Sequence, residues 1–179
     1  MKAPVRAMIA LGSNLDDPQA QVLRGFDDIA ALTATRLLAR SPLYRTVPVG
    51  YLDQPAFVNA CALIETALTP RQLLKALLGI EKSHGRVRDR PNGPRTLDLD
   101  IVLYGDAKVR APGLTIPHPR AHERAFVLAP LVDIWPQATI PGKGSAADWL
   151  ARADLEGVKK IADAAQPAKE KPRARARHA

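Results

Sequence analysis

The sequence predicts an α+β fold of the ferredoxin-like kind: a βαββαβ core with a largely antiparallel sheet, helices on one face and the active site on the other. Three observations predict it. Four segments with strand character and two with helical character follow one another in that order. Each helical segment places apolar residues at helical spacing behind a capping residue and a proline. The last strand carries Asp98 and Asp100 two residues apart, which puts both carboxylates on one face of the sheet.

Residues 5–12 form the first predicted strand, with Met8, Ile9, Ala10 and Leu11 apolar, and Gly12, Ser13 and Asn14 turn the chain. Asp17 caps a helix that has Pro18 at its first position, and Val22, Phe26 and Ile29 share one helical face. Residues 37–44 predict the second strand and residues 47–55 a loop punctuated by Pro48, Gly50 and Pro55. The third strand is predicted over 57–66. Thr69 and Pro70 open a second helix with Leu73, Leu74, Leu77 and Leu78 at core spacing, and Gly85 closes it. The fourth strand covers 97–104. Beyond it the periodicity weakens: 114–119 is extended and set by prolines, 122–131 predicts a short helix ended by Trp135 and Pro136, and 148–161 predicts a last helix.

A chain of 179 residues, 46% hydrophobic, is long enough to bury one good core. The expected organisation is one domain over residues 1–163 followed by a basic, disordered tail over 164–179. Net charge is +8, and half of it is local, because Lys169, Lys171, Arg173, Arg175 and Arg177 face only Glu170. Cys61 is the sole cysteine, which excludes a disulfide framework and a cysteine metal site. The sequence carries no signal-peptide pattern and no apolar run of membrane length, so a cytoplasmic protein with no membrane partner is expected.

The chemistry concentrates in residues 85–104. Asp98 and Asp100 share one strand face, while Leu97, Leu99, Ile101 and Leu103 take the other and read as core. Two acids at the mouth of an apolar strand repel each other unless a cation neutralises them. Mg²⁺ takes one or two carboxylates together with phosphate oxygens. Taken alone, the pair could equally be a solvated edge. Just upstream, Arg86, Arg88, Arg90 and Arg95 stand in a segment broken by Gly and Pro, a loop suited to multidentate phosphate recognition, though a merely solvated basic face has the same composition. His118 and His122 stand four apart, but Pro117 and Pro119 argue against a zinc-binding helix through them. Lys143 in Pro-Gly-Lys-Gly-Ser lacks the preceding strand and the spacing of a phosphate loop.

Together these segments resemble the 6-hydroxymethyl-7,8-dihydropterin pyrophosphokinases of folate biosynthesis. The resemblance covers residues 8–136 and rests on Ala10 to Leu15, Tyr44-Arg45-Thr46, residues 53–59 (Asp-Gln-Pro-Ala-Phe-Val-Asn), Glu81-Lys82, Gly85-Arg86, residues 93–100 (Gly-Pro-Arg-Thr-Leu-Asp-Leu-Asp) and Pro117-His118-Pro119. It implies transfer of pyrophosphate from ATP to the hydroxymethyl group of the pterin, with release of AMP. It also implies two Mg²⁺ ions on Asp98 and Asp100, and Arg86 and Arg88 acting with that pair in catalysis. Arg86, Arg88, Arg95, His118 and Arg124 are implied to bind ATP, and Thr46, Phe57, Asn59 and Phe126 the pterin. A flat pterin suits the two phenyl rings and the amide. Two departures stand out: Asn92 occupies a place that is Trp in some members, and Phe57 one that is Tyr in some. Glu81 is expected either to orient the arginine loop or to lie on the surface.

Residues 86–95 and 47–55 are expected to be the most mobile ordered parts of the ligand-free protein. A nucleic-acid-binding module is the rival reading, since a ferredoxin-like sheet and a sequence pI near 10.0 fit it loosely. The aromatic strand motif of RNA-binding domains is absent, so nucleic acid is not the expected partner, and the protein is expected to be a monomer.

Overall fold

Strand β1 (Val5–Ser13) lies between β4 (Phe57–Thr66) and β5 (Asp98–Tyr104), antiparallel to both, which makes the first and last strands of the repeat neighbours as the ferredoxin-like arrangement requires. The computed structural model describes residues 3–48, 53–85 and 94–161. In chain order the other elements are α1 (Pro18–Ala30), β2 (Thr35–Arg40), β3 (Tyr44–Thr46), α2 (Pro70–Ser83), β6 (Val109–Ala111), β7 (Leu114–Ile116), α3 (Ala125–Ile134), β8 (Thr139–Ile140), β9 (Gly144–Ser145), α4 (Ala146–Arg152) and β10 (Val158–Lys160). The main sheet runs β10-β3-β4-β1-β5, with β2 also on β4.

The predicted second strand is two strands on one edge of β4. β2 pairs with residues 62–66 and β3 with residues 57–59. The break falls at Pro42, which has no N–H to give a ladder. Ser41 spans it: its N–H donates to the Cys61 carbonyl at 2.9 Å and its hydroxyl accepts from the Cys61 N–H at 2.8 Å.

The two helices of the repeat form where their caps stand. Asp17 accepts from the Ala20 N–H ahead of α1, and Thr69 and Gln72 make a reciprocal capping box ahead of α2. Both helices cover one face of the sheet. Val22, Phe26, Ile29, Leu73 and Leu77 pack there with Ile9, Leu11, Leu99 and Ile101. Of the four leucines expected in that core, Leu78 is instead 43% exposed.

The opposite face is only partly open, because α3 covers its far end. Val127, Leu128 and Leu131 pack with Met8, Cys61, Leu63 and Leu103 in a second core. Leu103 reaches that face through an irregularity: Ile9 opposes Ile101, Met8 opposes Leu103, and Val102 is the extra residue. The expected alternation from Leu97 to Leu103 therefore holds only as far as Ile101, although all four side chains are buried.

The C-terminal region departs from its sequence pattern. Residues 148–161 do not form one helix. The helix α4 is capped by Ser145 and stops at Arg152. Gly157, at φ 76, turns the chain so that β10 pairs with β3, and backbone bonds from Val47 N–H to the Gly157 carbonyl and from Ile161 N–H to the Leu43 carbonyl extend the contact. α3 begins at Ala125, and His122 belongs to a preceding single turn, Ala121–Glu123. Among the described residues no helix is long and apolar enough to cross a membrane. Arg86, Arg88, Asn92, most of the arginine loop and the basic tail lie outside the described residues.

Candidate active site

Sheet register assembles the site on the open part of the second face. Asp98 pairs with Gly12, Gly12 with Asn59, and Asn59 with Tyr44, so one rung crosses four strands. Asp100 lies two residues further along β5. On the far side Thr46 opposes Phe57. The seven-residue sequence Asp98–Tyr104 thus sets the acids on an edge strand, and the Phe-x-Asn spacing in β4 sets ring and amide on the same face.

Thr46, Phe57, Asn59, Arg95, Asp98, Asp100, His118, Arg124 and Phe126 all line one cleft of about 770 Å³, open solvent at its mouth included. These are all the expected site residues except Arg86 and Arg88. Its floor is Ala10 and Gly12 of β1, and Val102 and Val127 close its apolar side.

The polar contacts divide the cleft into two ends. At one end Thr46 Oγ1 donates to Asn59 Oδ1 at 2.5 Å. That bond fixes the amide, and its Nδ2 passes so close to Gly12 that a Cβ there would lie 2.9 Å away. At the other end Arg95 donates to Asp98 Oδ2 at 2.9 Å. The guanidinium carbons of Arg95 and Arg124 stand 5.5 and 5.6 Å from the ring centres of Phe57 and Phe126. Among the described residues the buried Nε of Arg124 has no hydrogen-bond partner.

Burial lowers the Arg124 pKa, as does Arg120, against the opposing pull of Asp100 and Asp98. Burial also lowers that of His118, helped by Arg124 and Arg120 and opposed by Asp98. The ring of His118 accepts from the Arg120 N–H at Nδ1, 3.2 Å away. The neutral ring therefore carries its proton on Nε2.

Two residues do more than their sequence context indicates. Asn14, 2% exposed, accepts from the Arg95 N–H at 2.9 Å and donates to Gln54 Oε1 at 2.9 Å and the Pro55 carbonyl at 3.0 Å. The Asn14 N–H also donates to the Arg95 carbonyl. One amide thus holds the segment before Phe57 and the segment before Asp98. Glu81, 3% exposed, accepts from the Leu99 N–H at 2.8 Å, so it is a buried support of the acidic strand and not a surface residue. Its signal was present: it continues the Leu73, Leu77 stripe at a spacing of four, where an acid is out of place unless bonded.

The donor set suits Mg²⁺. The described residues contain no group of three or more His, Cys, Asp or Glu side chains that could hold a metal alone. Two carboxylates on one strand face, in a cleft shared with Arg124, whose buried Nε has no partner among the described residues, suit a cation that takes its other oxygens from a phosphate.

An acid pair ringed by Arg95, Arg124 and His118 on a ferredoxin-like sheet suits a phosphoryl-transfer enzyme. Residues 8–136 match the family model of 7,8-dihydro-6-hydroxymethylpterin-pyrophosphokinase (HPPK). The "2-amino-4-hydroxy-6-hydroxymethyldihydropteridine pyrophosphokinase" of Pseudomonas aeruginosa is 46% identical over 156 residues, 87% of this chain and 96% of the relative. The protein of the same description from Haemophilus influenzae is 47% identical over 137 residues, 76% of this chain and 86% of the relative. The chain belongs to the HPPK family. Its fold is also that of a crystal structure described as Plasmodium falciparum HPPK-DHPS, with a TM-score of 0.65 at 14% identity; 88% of this chain aligns, and it spans 46% of that longer chain.

Proposed function

We infer that this protein transfers pyrophosphate from ATP to the hydroxymethyl group of 6-hydroxymethyl-7,8-dihydropterin, releasing AMP, as a step of folate biosynthesis. The family assignment supports the reaction. The observation that carries our assignment of residues is the rung Asp98–Gly12–Asn59. Two strand spacings separate the backbone of Asp98 from that of Asn59, roughly 10 Å, and Gly12 between them has no side chain to obstruct the floor. A bicyclic ring held at Asn59 then directs a one-carbon arm across Gly12 toward a phosphate held at Asp98.

The residues take these roles. Asn59, oriented by Thr46, reads the donor–acceptor edge of the pterin, and Phe57 and Phe126 enclose its faces. Asp98 and Asp100 would hold Mg²⁺, two ions in our reading, which would supply charge neutralisation at the phosphate oxygens. Arg95 and Arg124 bind the polyphosphate, and His118 presents Nε2–H to it from a neutral ring. Arg86 and Arg88, from the sequence pattern, complete the cationic side. The hydroxymethyl oxygen attacks the β-phosphorus, its proton leaves to solvent, and the α–β bridging oxygen departs with AMP. Positioning and charge neutralisation carry the rate, and no covalent enzyme intermediate is involved.

Formation of AMP from ATP in the presence of the hydroxymethylpterin tests this. Pterin-dependent AMP release that requires Mg²⁺ is the expected result; AMP release indifferent to the pterin would reject it.

A further inference from the structure

We propose that His84 is a positioning residue for the acidic strand: its ring ties the last turn of α2 to α1 and, through Glu81, fixes the backbone between Asp98 and Asp100. The functional consequence rests on reading those two acids as the cation-holding pair.

His84 is the C-cap of α2 and its side chain is 7% exposed. Both ring nitrogens are engaged. Nδ1 lies 2.6 Å from Gln21 Oε1, and Nε2 lies 2.6 Å from Asp28 Oδ2, both on α1. The Gln21 amide has a defined orientation, because its nitrogen donates to the Asp16 carbonyl at 3.2 Å and so turns its oxygen toward the ring. A carboxylate and an amide oxygen can only accept. The ring therefore meets an acceptor on each side, and both acceptors belong to α1.

The bonds orient α2 as well as hold it. An apolar residue at 84 would pack α2 on α1 without setting its rotation. Two bonds in fixed directions set the rotation of the last turn too. His84 N–H bonds back to the carbonyls of Ile80 and Glu81, so that turn moves with the ring. Glu81 is in it, and its Oε2 accepts from the Leu99 N–H at 2.8 Å. Leu99 lies between Asp98 and Asp100. A continuous path of hydrogen bonds and one helical turn runs from Asp28 to the strand that carries the acids.

The test compares wild type with His84→Leu without ligand. Amide exchange at Leu99, taken relative to Ile9 at the centre of the sheet, should be about tenfold faster in His84→Leu. The Mg²⁺ concentration for half-maximal turnover should rise in parallel. A lower melting temperature with an unchanged Leu99-to-Ile9 ratio would make His84 purely structural and overturn the proposal. Should His84→Leu fail to fold, the half-exposed Asp28→Asn gives the same comparison, with a smaller rise in the ratio expected and no rise overturning it. The exchange readout needs no metal, so wild-type turnover without Mg²⁺ would reject the reading of the acids while Leu99 still decides the role of His84.

Discussion

Replacing Asn14 by Ala removes one buried side chain that three segments share, and the cost can be worked out group by group. The Arg95 N–H loses its acceptor at 2.9 Å, and Gln54 Oε1 and the Pro55 carbonyl lose donors at 2.9 and 3.0 Å. A buried polar group left without a partner costs about 1–3 kcal/mol. Gln54 and Pro55 lie nearer the surface and can turn to water, so the Arg95 N–H dominates and the total is about 3 kcal/mol. For a domain of this size that lowers Tm by roughly 6–12 °C. Activity should fall further than stability explains, because Arg95 binds Asp98 from the displaced segment. Asn14→Asp separates the two contacts. It keeps an acceptor for the Arg95 N–H but sets a carboxylate against Gln54 and Pro55, so ATP binding should survive better than pterin binding. Melting curves and calorimetry with each ligand check this. A Tm within about 2 °C of wild type for Asn14→Ala, with both affinities intact, would refute the account of Asn14 as the shared fastening.

Other outcomes follow from the same geometry. Asp98→Ala and Asp100→Ala should each remove most Mg²⁺-dependent turnover while far-UV spectra stay native, and near-normal turnover in either would remove that acid from the metal site. Gly12→Ala should weaken pterin binding by about 1–3 kcal/mol, because its Cβ would meet Asn59 Nδ2 at 2.9 Å and Thr46 prevents that amide from giving way freely; equal loss of ATP affinity would contradict it. His118 has a folded pKa below its ordinary 6.5, so as pH falls through that value the unfolded chain takes up a proton that the folded chain does not, and stability drops. His118→Gln should lose less stability than wild type between pH 7.5 and 5.5 in thermal melts, values that bracket that pKa.

The βαββαβ order and the acid pair were legible because each rests on local chemistry: caps at Asp17 and Thr69, period-3.6 stripes in the helices, and a two-residue spacing in β5. The errors arise where a distant strand decides. Residues 158–160 carry no strand signal of their own and become one only because β3 offers an edge. Leu103 changes face because β1 and β5 shift register at Met8 and Ile9, which no pattern within residues 97–104 encodes. Asn14 looked like an ordinary turn residue, since its partners are 40 or more positions away in sequence. Leu78 shows the opposite limit: its helical spacing was right, but the stripe it extends is wider than the core beneath α2.

The charge balance of the cleft leads to a final prediction about the metal. In the described residues Asp98 and Asp100 stand against Arg95 and Arg124, a formal balance, with Asp98 already bound to Arg95. A polyphosphate arriving alone meets the acids as like charges and must compete with Asp98 for Arg95. Arriving with Mg²⁺, it brings cations to the acids and anions to the arginines in one step, and Arg95 exchanges one anionic partner for another. ATP affinity should therefore fall by on the order of tenfold or more when Mg²⁺ is chelated. The end we assign to the pterin, lined by Asn59, Thr46 and two phenyl rings, lies apart from the acids in that assignment, so pterin affinity should be unchanged under the same chelation. Calorimetry of each ligand with and without EDTA separates the two ends. ATP affinity that survives chelation would mean that the arginines alone hold the nucleotide and that the acids serve something other than a shared cation.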